Sequence, residues 1–499
     1  KPINGIDIIK SVIKKTKKKL EEIDNSKIGT TQSLYFKIAD DLKTLGTNYE
    51  LKFLFQTDML KPTRLCTLNK QIVNNVMKAI EIMNKLTLRP SETYIKKFRD
   101  AFYERYEDRE VPLLLALDTE AGIGYKEGTD IWGDLSPLVD DIALPISAEG
   151  YNIQWNSIQS FLFKKYKEAI SQNKYEIELT DEDLKPYEAR WDDLPDTLST
   201  MVHILKEKEG DNQEERIVIE GSGGSSAANL LGRFCHADPQ IQNFVKSITL
   251  KEDEINTDVI LAEIVHLPES RLGNILLRPV LRDHEIPYLA KSAVPEQFQI
   301  KLEDLLVSVK RNRVILRSKK MNKEIIPRLS SAHNYSMNAL PIYQFLCDLQ
   351  TQNKRSGVGF NWGVLNNEYT FLPRVTYQNL ILSLAKWTFT ANDVKKFIKI
   401  NDDDELHSSI QTWIKQHHMP QHVSLADGDN ELYLNLENVL CIKTLFSLIK
   451  NRPNFQLKEF IFTPKNGVVE SDEGQFTNEF IFSFYKDVPS KEQTHESKK

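Results

Sequence analysis

The chain has 499 residues, of which 27% are charged and 40% are hydrophobic, and its formal net charge is −6. This composition excludes a disordered chain, a collagen-like or low-complexity fibre and a uniformly basic nucleic-acid coat protein. Four scattered cysteines without a CxxC pair exclude a disulfide framework and a cysteine-rich zinc site. No apolar run approaches the roughly 20 residues that cross a bilayer, and no signal peptide begins the sequence, so we expect a soluble cytoplasmic protein without a transmembrane segment.

The first hundred residues are predicted to be mainly helical. Amphipathic spacing predicts helices over residues 6–23, 33–45 and 70–86, and a fourth helix that begins near Ser91. Residues 51–60 differ, because their central apolar run predicts a buried strand that ends at the polar Asp58. A carboxylate in that position is either a turn or cap residue or a site acid held on a rigid element.

A glycine- and serine-rich loop in the middle of the chain is the first candidate for chemistry. Residues 107–141 read as a long irregular connection, and a short strand at 216–219 leads into GSGGSS at 221–226, which is predicted to open a helix over 227–235. Such a loop can receive an anion at a helix N-terminus, and Ser225 approximates the nucleophile elbow of a serine hydrolase, although a flexible loop is the commoner explanation. Arg233 on the predicted helix could reach back towards the loop, where a guanidinium suits a carboxylate or a phosphate.

A basic β-meander follows. Alternating residues predict strands at 305–309, 313–317 and 324–329. Between Arg271 and Arg328 there are 13 Lys and Arg against 6 Asp and Glu, a local charge of +7. Five of the meander's cations are the candidates, and they either form a solvated sheet face or contact nucleic-acid phosphates: Lys310, Arg313, Arg317, Lys319 and Lys320.

For the other polar candidates, a structural explanation stands beside a functional one. Arg328 and His333 lie where the last meander strand leaves the sheet, a position that often carries function but more often a structural hydrogen bond. Four histidines gather near a helix end broken by Pro420, and without an HExxH motif or a nearby cysteine they do not predict a metal site: His407, His417, His418 and His422.

Several longer strings stand in unbroken order between residues 33 and 387. They include Phe-Tyr-Glu-Arg-Tyr at 102–106, Arg-Glu-Val-Pro-Leu-Leu at 109–114, Leu-Gly-Arg-Phe-Cys-His at 231–236, Ala-Glu-Ile-Val-His-Leu-Pro at 262–268 and Ile-Pro-Arg-Leu at 326–329. Together these strings resemble lantibiotic dehydratases, the class I lanthipeptide enzymes. In that family an N-terminal domain moves glutamate from glutamyl-tRNA to Ser and Thr of a precursor peptide, and a C-terminal domain eliminates the glutamate.

The resemblance implies that this chain is the later part of the glutamylation domain. We expect an α+β fold, with helical segments around mixed and antiparallel sheets. Residues 1–105 are expected to form a helical segment with a buried strand, residues 106–390 the central core and residues 391–488 a closing segment. Residues 489–499 read as a frayed tail.

Position by position, the resemblance implies that Asp58 and Arg233 are catalytic. Arg233 would meet the charge of the acyl-adenosine end or the glutamate carboxylate, and Asp58 the glutamate ammonium or neighbouring groups. The predicted substrate and tRNA contacts are Arg328, His333 and the five meander cations. Glutamyl-tRNA is the expected co-substrate, and no cofactor or metal is expected.

The resemblance also implies partners. The family's N-terminal section, with its leader-binding module, has no counterpart before Lys1, so we expect a truncated domain or one chain of a split enzyme, inactive alone. Its expected partners are the missing section, a separate elimination-domain protein and a precursor peptide with its leader; a cyclase and a second copy of the chain are further candidates. The rival functions are a non-catalytic tRNA- or peptide-docking module and a serine hydrolase that uses Ser225.

Overall fold

The computed structural model describes most of the chain. The described residues are 5–26, 31–47, 49–58, 67–90, 92–126, 155–209, 212–267, 273–336, 339–428, 430–463, 465–472 and 474–487. The predicted tail at 489–499 and part of the predicted connection at 107–141 therefore lie outside the described residues.

Helices and strands follow each other along the whole described chain. The helices are α1 (Ile6–Asp24), α2 (Gln32–Lys43), α3 (Lys70–Leu86), α4 (Tyr94–Tyr106), α5 (Leu113–Ala116), α6 (Ser157–Ser171), α7 (Asp181–Leu184), α8 (Pro239–Ile255), α9 (Gly273–Leu276), α10 (Pro341–Leu349), α11 (Leu365–Glu368), α12 (Ala391–Ile398), α13 (Asp403–Gln416) and α14 (Val439–Ile449). The strands are β1 (Val111–Pro112), β2 (Glu176–Glu178), β3 (Thr197–Glu209), β4 (Asn212–Val218), β5 (Gly221–Gly223), β6 (Ile260–Val265), β7 (His284–Pro287), β8 (Leu305–Lys310), β9 (Arg313–Ser318), β10 (Lys323–Arg328), β11 (Gly357–Gly359), β12 (Phe371–Leu372), β13 (Arg374–Tyr377), β14 (Leu380–Ser383), β15 (Lys386–Thr390), β16 (His422–Asp427), β17 (Asn430–Asn435), β18 (Asn454–Glu459), β19 (Val469–Ser471), β20 (Gly474–Phe476) and β21 (Phe480–Tyr485). The α+β prediction is confirmed.

A six-stranded mixed sheet has the order β1-β8-β9-β10-β6-β7. Its first four strands are antiparallel and contain the predicted meander, whereas β10, β6 and β7 run parallel. One face packs on α4 and α10 around the buried rings of Phe102, Tyr343 and Phe345. The strand alternation that predicted the meander is real, because Val314 and Leu316 point into this core while Arg313 and Arg317 do not.

A second, larger sheet has the order β11-β5-β3-β4-β14-β13-β2, and β21 pairs with β3 beside this path. Helix α3 covers it with Val76, Ala79, Ile80 and Met83, whose i, i+3, i+4, i+7 spacing places all four side chains on one buried face. Asn69 caps this helix by accepting a hydrogen bond from the backbone N–H of Gln71.

A third, antiparallel sheet has the order β12-β15-β18-β16-β17 and packs with α12, α13 and α14. Its core begins at Ala385 and includes the rings of Trp387, Phe389 and Trp413. Helices α12, α13 and α14 alternate with strands β16, β17 and β18 in this part of the chain. The predicted domain boundaries at residues 105 and 390 stay a prediction.

Two predicted elements are wrong. Residues 51–58, the described part of the predicted strand, form no strand; Leu51–Phe53 is a turn of 3-10 helix with Leu51 and Phe53 exposed. Residues 227–235 form turns and a short 3-10 helix, Gly232–Phe234, instead of an α-helix. Helix α4 begins later than predicted and is capped by Thr93, and Ser91 lies outside the described residues.

The GSGGSS motif has a structural explanation. Its first three residues form β5, which pairs with another glycine-rich strand, β11. A Cβ at Gly223 would lie 2.7 Å from the carbonyl oxygen of Ser356, and Gly224 adopts a φ of +98° at the following turn. The glycines therefore permit a close strand pairing and a left-handed turn.

Among the described helices, none combines the length and the apolar composition that a membrane crossing requires.

Candidate functional site

The structure brings Arg233 and Asp58 together from positions 175 residues apart. Arg233 Nη2 donates a hydrogen bond to Asp58 Oδ1 over 3.2 Å. Both side chains are partly exposed, 27% for Arg233 and 18% for Asp58. The guanidinium has five N–H donors, and among the described residues its side chain makes this one hydrogen bond.

Two neighbours of Arg233 complete this group. The guanidinium carbon lies 4.4 Å from the centre of the Phe234 ring. His236 Nδ1 lies 2.6 Å from the carbonyl oxygen of Arg233, and its Nε2 lies 3.9 Å from Asp58 Oδ2. Because a carbonyl oxygen only accepts, Nδ1 is the donor of this hydrogen bond. We call Asp58, Arg233, Phe234 and His236 the Arg233 cluster.

The turn that carries Arg233 is fixed to the end of β10. Gly232 packs so closely against Ser330 that a Cβ there would overlap the Ser330 carbonyl oxygen. Asn229 donates from Nδ2 to the carbonyls of Leu329 (2.6 Å) and Ser331 (2.9 Å), and its Oδ1 accepts from the Ser226 N–H. The position of Arg233 therefore depends on the segment at 329–331.

That segment is held in turn by a buried ion network. Glu263 on β6 is fully buried and accepts hydrogen bonds from the N–H and hydroxyl of Ser330, at 2.8 and 2.7 Å. Arg278 lies 3.0 Å from Glu263, and Arg282 lies 3.5 Å from it. Arg282 also pairs with Glu252 on α8. Each buried charge faces an opposite one, as burial requires.

Glu252 links this network to the other side of the same turn. It accepts a hydrogen bond from the Thr197 hydroxyl, whose oxygen accepts from the N–H of Ala227 over 2.8 Å. Burial alone would raise the pKa of Glu252, but the charges of Arg282 and Arg328 outweigh it and lower that pKa. Glu252 therefore stays ionised and holds the turn in place.

Arg328, a predicted substrate contact, is buried. Its guanidinium pairs with Asp196 over 3.0 Å and donates to the carbonyl of Gln350 over 3.3 Å. Burial alone would raise the pKa of Asp196, but the charges of Lys354 and Arg328 lower the pKa to about 2. The structure thus gives Arg328 a structural partner, and its role in binding stays a prediction.

His333 is also buried, with Nδ1 2.8 Å from the Tyr343 hydroxyl and its ring stacked on the Tyr343 ring. Burial and the nearby His266 lower the pKa of His333, so its imidazole is neutral at pH 7. The structure does not bring Arg328 or His333 into the Arg233 cluster, and binding by His333 stays a prediction.

The meander cations do not form one continuous face. Arg313 pairs with Glu324, and Arg317 donates to Glu110 over 2.8 and 2.5 Å. Lys310 extends from the end of β8, whereas Lys319 and Lys320 lie in the β9–β10 turn at the opposite end of the strands. The three lysines therefore lie at two separate places, and the contact of the five meander cations with tRNA stays a prediction.

The remaining candidates have local partners. The Ser225 hydroxyl makes its hydrogen bond to Asn229, so the described residues give it no histidine base. His417 packs on Phe389 and Trp413, and His422 stacks on Tyr433. Within the part of the chain that the structure describes, no three His, Cys, Asp or Glu side chains are grouped as metal ligands.

Comparison with known proteins decides the family. The family model described as "Lantibiotic dehydratase, N terminus" matches residues 4–445. This chain belongs to the lantibiotic dehydratase family. Two curated relatives are the subtilin biosynthesis protein SpaB of Bacillus subtilis, 23% identical over 422 residues, and the nisin biosynthesis protein NisB of Lactococcus lactis, 22% identical over 410 residues. The matches cover 80% and 79% of this chain but 38% of each relative, so the chain spans about two fifths of their length.

Solved structures share the fold of this lantibiotic dehydratase family member. The tRNA-dependent lantibiotic dehydratase MibB from Microbispora sp. 107891 superposes with a TM-score of 0.71 at 18% identity, over 92% of this chain and 43% of MibB. The glutamylation domain TbtB from thiomuracin biosynthesis superposes with a TM-score of 0.56 at 15% identity, over 93% of this chain and 57% of that one.

Sequence reasoning did not predict one member of the Arg233 cluster or the residues that hold its turn. The role of His236 was not predicted, although its position three residues after Arg233 in a turn was a local signal. Asn229 and Glu263, which fix the turn, carry no local signal, because their partners near residue 330 lie about 100 and 67 residues away.

Proposed function

We propose that the chain takes part in transferring glutamate from glutamyl-tRNA to Ser and Thr hydroxyls of a precursor peptide, and that the Arg233 cluster is the site. The observation that carries the proposal is the partly exposed Arg233–Asp58 pair on a rigidly held turn, in a member of this family. MibB is a tRNA-dependent lantibiotic dehydratase and TbtB is a glutamylation domain, and both similarities support the same chemistry.

The proposed reaction is an acyl transfer. The peptide hydroxyl oxygen forms a bond to the glutamyl carbonyl carbon, the ester bond to the terminal ribose breaks, and the hydroxyl proton ends on the ribose oxygen. Arg233 would stabilise negative charge on the acyl-adenosine end, and Asp58 would orient Arg233 or bind the glutamate ammonium. His236 would carry the hydroxyl proton towards the ribose oxygen. We propose no cofactor beyond glutamyl-tRNA, because positioning and electrostatics suffice for this step. We also propose that the reaction takes place in the cytoplasm, where charged tRNA is found.

The test is a transfer assay with labelled glutamyl-tRNA and a Ser/Thr-rich precursor peptide. It is run with the chain alone and with the rest of a dehydratase supplied as a second polypeptide. Arg233→Ala and Asp58→Ala should each lower transfer at least about 100-fold, as expected when a charge-stabilising group is lost. Arg452→Ala is the matched control, because Arg452 forms a surface pair with Asp427 and is 28% exposed.

Full transfer by both variants would remove the site assignment. Salt-sensitive tRNA binding by the wild type without transfer, in both forms of the assay, would replace the proposal with a docking module.

A further inference from the structure

The last described strand, β21, is an edge strand with a free side. Its residues pair in antiparallel register with β3, from Phe480 opposite Val202 to Tyr485 opposite Thr197. The next residue, Lys486, donates its N–H to the carbonyl of Asp196. In an antiparallel pair the hydrogen-bonded positions alternate, so Phe480, Phe482 and Phe484 also direct their backbone groups towards β3. The backbone groups of Ile481, Ser483 and Tyr485 therefore point away from β3, and no strand among the described residues pairs with that side.

Two cavities flank this free edge, one on each face of the sheet. One has a volume of about 390 Å³ and lies between β21 and α8, lined by Phe244, Ile248 and Lys251. The other has a volume of about 540 Å³, and its wall is mostly apolar, with Ile80, Met77, Trp191 and Leu194. Phe484 and Tyr485 line both cavities, so the cavities meet at the strand. We call this arrangement the β21 groove.

The β21 groove has the features that an added strand needs. Alternate side chains of a strand point to opposite faces, so a peptide paired with β21 would place them in the two cavities in turn. Large apolar side chains are exposed there, including Tyr485 (59%), Phe244 (46%) and Trp191 (43%). The Ser483 hydroxyl, which lines the cavity beside α8, is buried without a hydrogen-bond partner among the described residues. An exposed apolar strand edge of this kind is normally covered in a working protein.

Charge decides between the two macromolecules of the proposed reaction. The cavity beside Trp191 is lined by three carboxylates, Asp192, Asp196 and Asp487, and one cation, Lys486. Asp192 pairs with Arg89, and Asp196 pairs with Arg328 and Lys354. The cavity beside α8 contains Lys251 and Glu254, which pair with each other. Neither set of lining residues has an excess of cations to pair with RNA phosphates, whereas the apolar walls and the strand edge suit an extended peptide.

The groove is also joined to the Arg233 cluster. Thr197 and Ala227 line the cavity beside α8, and the Ala227 N–H is hydrogen-bonded to the Thr197 hydroxyl. Ala227 belongs to the same turn that carries Arg233. A peptide in the groove would thus run beside the element that positions the candidate site.

We propose that the precursor peptide binds in the β21 groove as an added β-strand, with its main chain paired to Ile481, Ser483 and Tyr485. This inference rests on the proposed function for the identity of the peptide. Because the hydrogen bonds involve only main-chain groups, β21 can bind any extended peptide segment whose side chains fit the two cavities.

The decisive variant is Ser483→Pro. Proline removes the one backbone N–H that points outwards at this position and leaves the bonds to β3 intact, and edge strands tolerate it. Fluorescence anisotropy of the labelled precursor peptide should show a dissociation constant raised about tenfold, the effect of losing one hydrogen bond. Ser483→Ala is the matched control: it keeps the N–H, and binding should change less than about threefold. Equal binding by wild type and Ser483→Pro would overturn the proposal.

Hydrogen exchange of the wild-type protein tests the same proposal without a variant, in case Ser483→Pro does not fold. The amides of Ser483 and Tyr485 should exchange fast in the free protein and at least about tenfold more slowly with the precursor peptide, and uncharged tRNA should not protect them. Slow exchange already in the free protein would show that another segment of this chain covers the edge, and absence of protection would show that the peptide binds elsewhere; either result overturns the proposal. Transfer without protection of β21 would refute only the docking, and protection without transfer would refute only the proposed function.

Discussion

The Arg233 cluster and the buried ion network behind it use the same residue types for different purposes. Arg233 is partly exposed and makes one hydrogen bond to Asp58 among the described residues. Arg282 is fully buried between Glu252 and Glu263, which raise its pKa further above the usual value against the opposing effect of burial. An arginine with free donors at the surface can bind a ligand, whereas one whose charge is balanced in the interior holds elements together. Only the first is available for chemistry.

The largest expected effect tests the structural half of this comparison. Glu263→Ala removes the partner of Arg278 and Arg282 and leaves the Ser330 N–H and hydroxyl unsatisfied. Removing one member of a buried ion network costs about 3–5 kcal/mol. The free energy of unfolding in urea should fall by that amount. Glu110→Ala, which breaks the exposed pair with Arg317, is the control and should cost less than about 1 kcal/mol. Equal losses in the two variants would contradict the comparison.

A smaller effect is expected on the pH dependence of the free energy of unfolding, because Asp196 loses its charge at low pH. Its pKa is lowered to about 2 in the folded protein, from an ordinary value of 3.8. A carboxyl with a lowered folded pKa contributes stability above its unfolded pKa, and this contribution is lost as the pH falls towards the folded pKa. The difference in free energy of unfolding between wild type and Asp196→Asn should therefore narrow by about 1–2 kcal/mol between about pH 6 and about pH 2.5. A difference independent of pH would show that Asp196 is not held ionised by Arg328 and Lys354.

Local patterns explain which parts of the fold the sequence predicted well. The meander and the helices α1, α2 and α3 were predicted because alternation and helical spacing lie within each element. Residues 51–58, the described part of the predicted strand, were predicted wrongly because an apolar run is compatible with a strand or with a turn. Here Phe55 packs on the ring of Tyr35, 5.1 Å away. The glycines of β5 could not be explained locally either, since their close neighbours are the glycines of β11 more than 130 residues later.

The site shows the same limit. The family strings pointed to Arg233 and Asp58 one by one, but their contact spans 175 residues and only the fold brings it about. Arg328 and His333 were predicted as binding residues from their position at the end of a strand. The burial of Arg328 could not be predicted in this way, because it depends on distant partners such as Asp196, 132 residues earlier. The local charge of +7 also overstated the basic surface, because Arg313 and Arg317 meet carboxylates within the fold.

The smallest expected effect tests the functional half of the comparison. Arg233→Ala and Asp58→Ala should each change the free energy of unfolding by less than about 1 kcal/mol, because a partly exposed ion pair contributes little to stability. Thermal and urea unfolding measure this, with Arg452→Ala beside them as an equally exposed arginine. Since the turn is held by Gly232, Asn229 and the network beyond Ser330, loss of the Arg233 side chain leaves its backbone in place. A loss above about 2 kcal/mol would assign Arg233 to the structural arginines, and a loss of transfer in this variant would then report a disturbed fold instead of a missing charge.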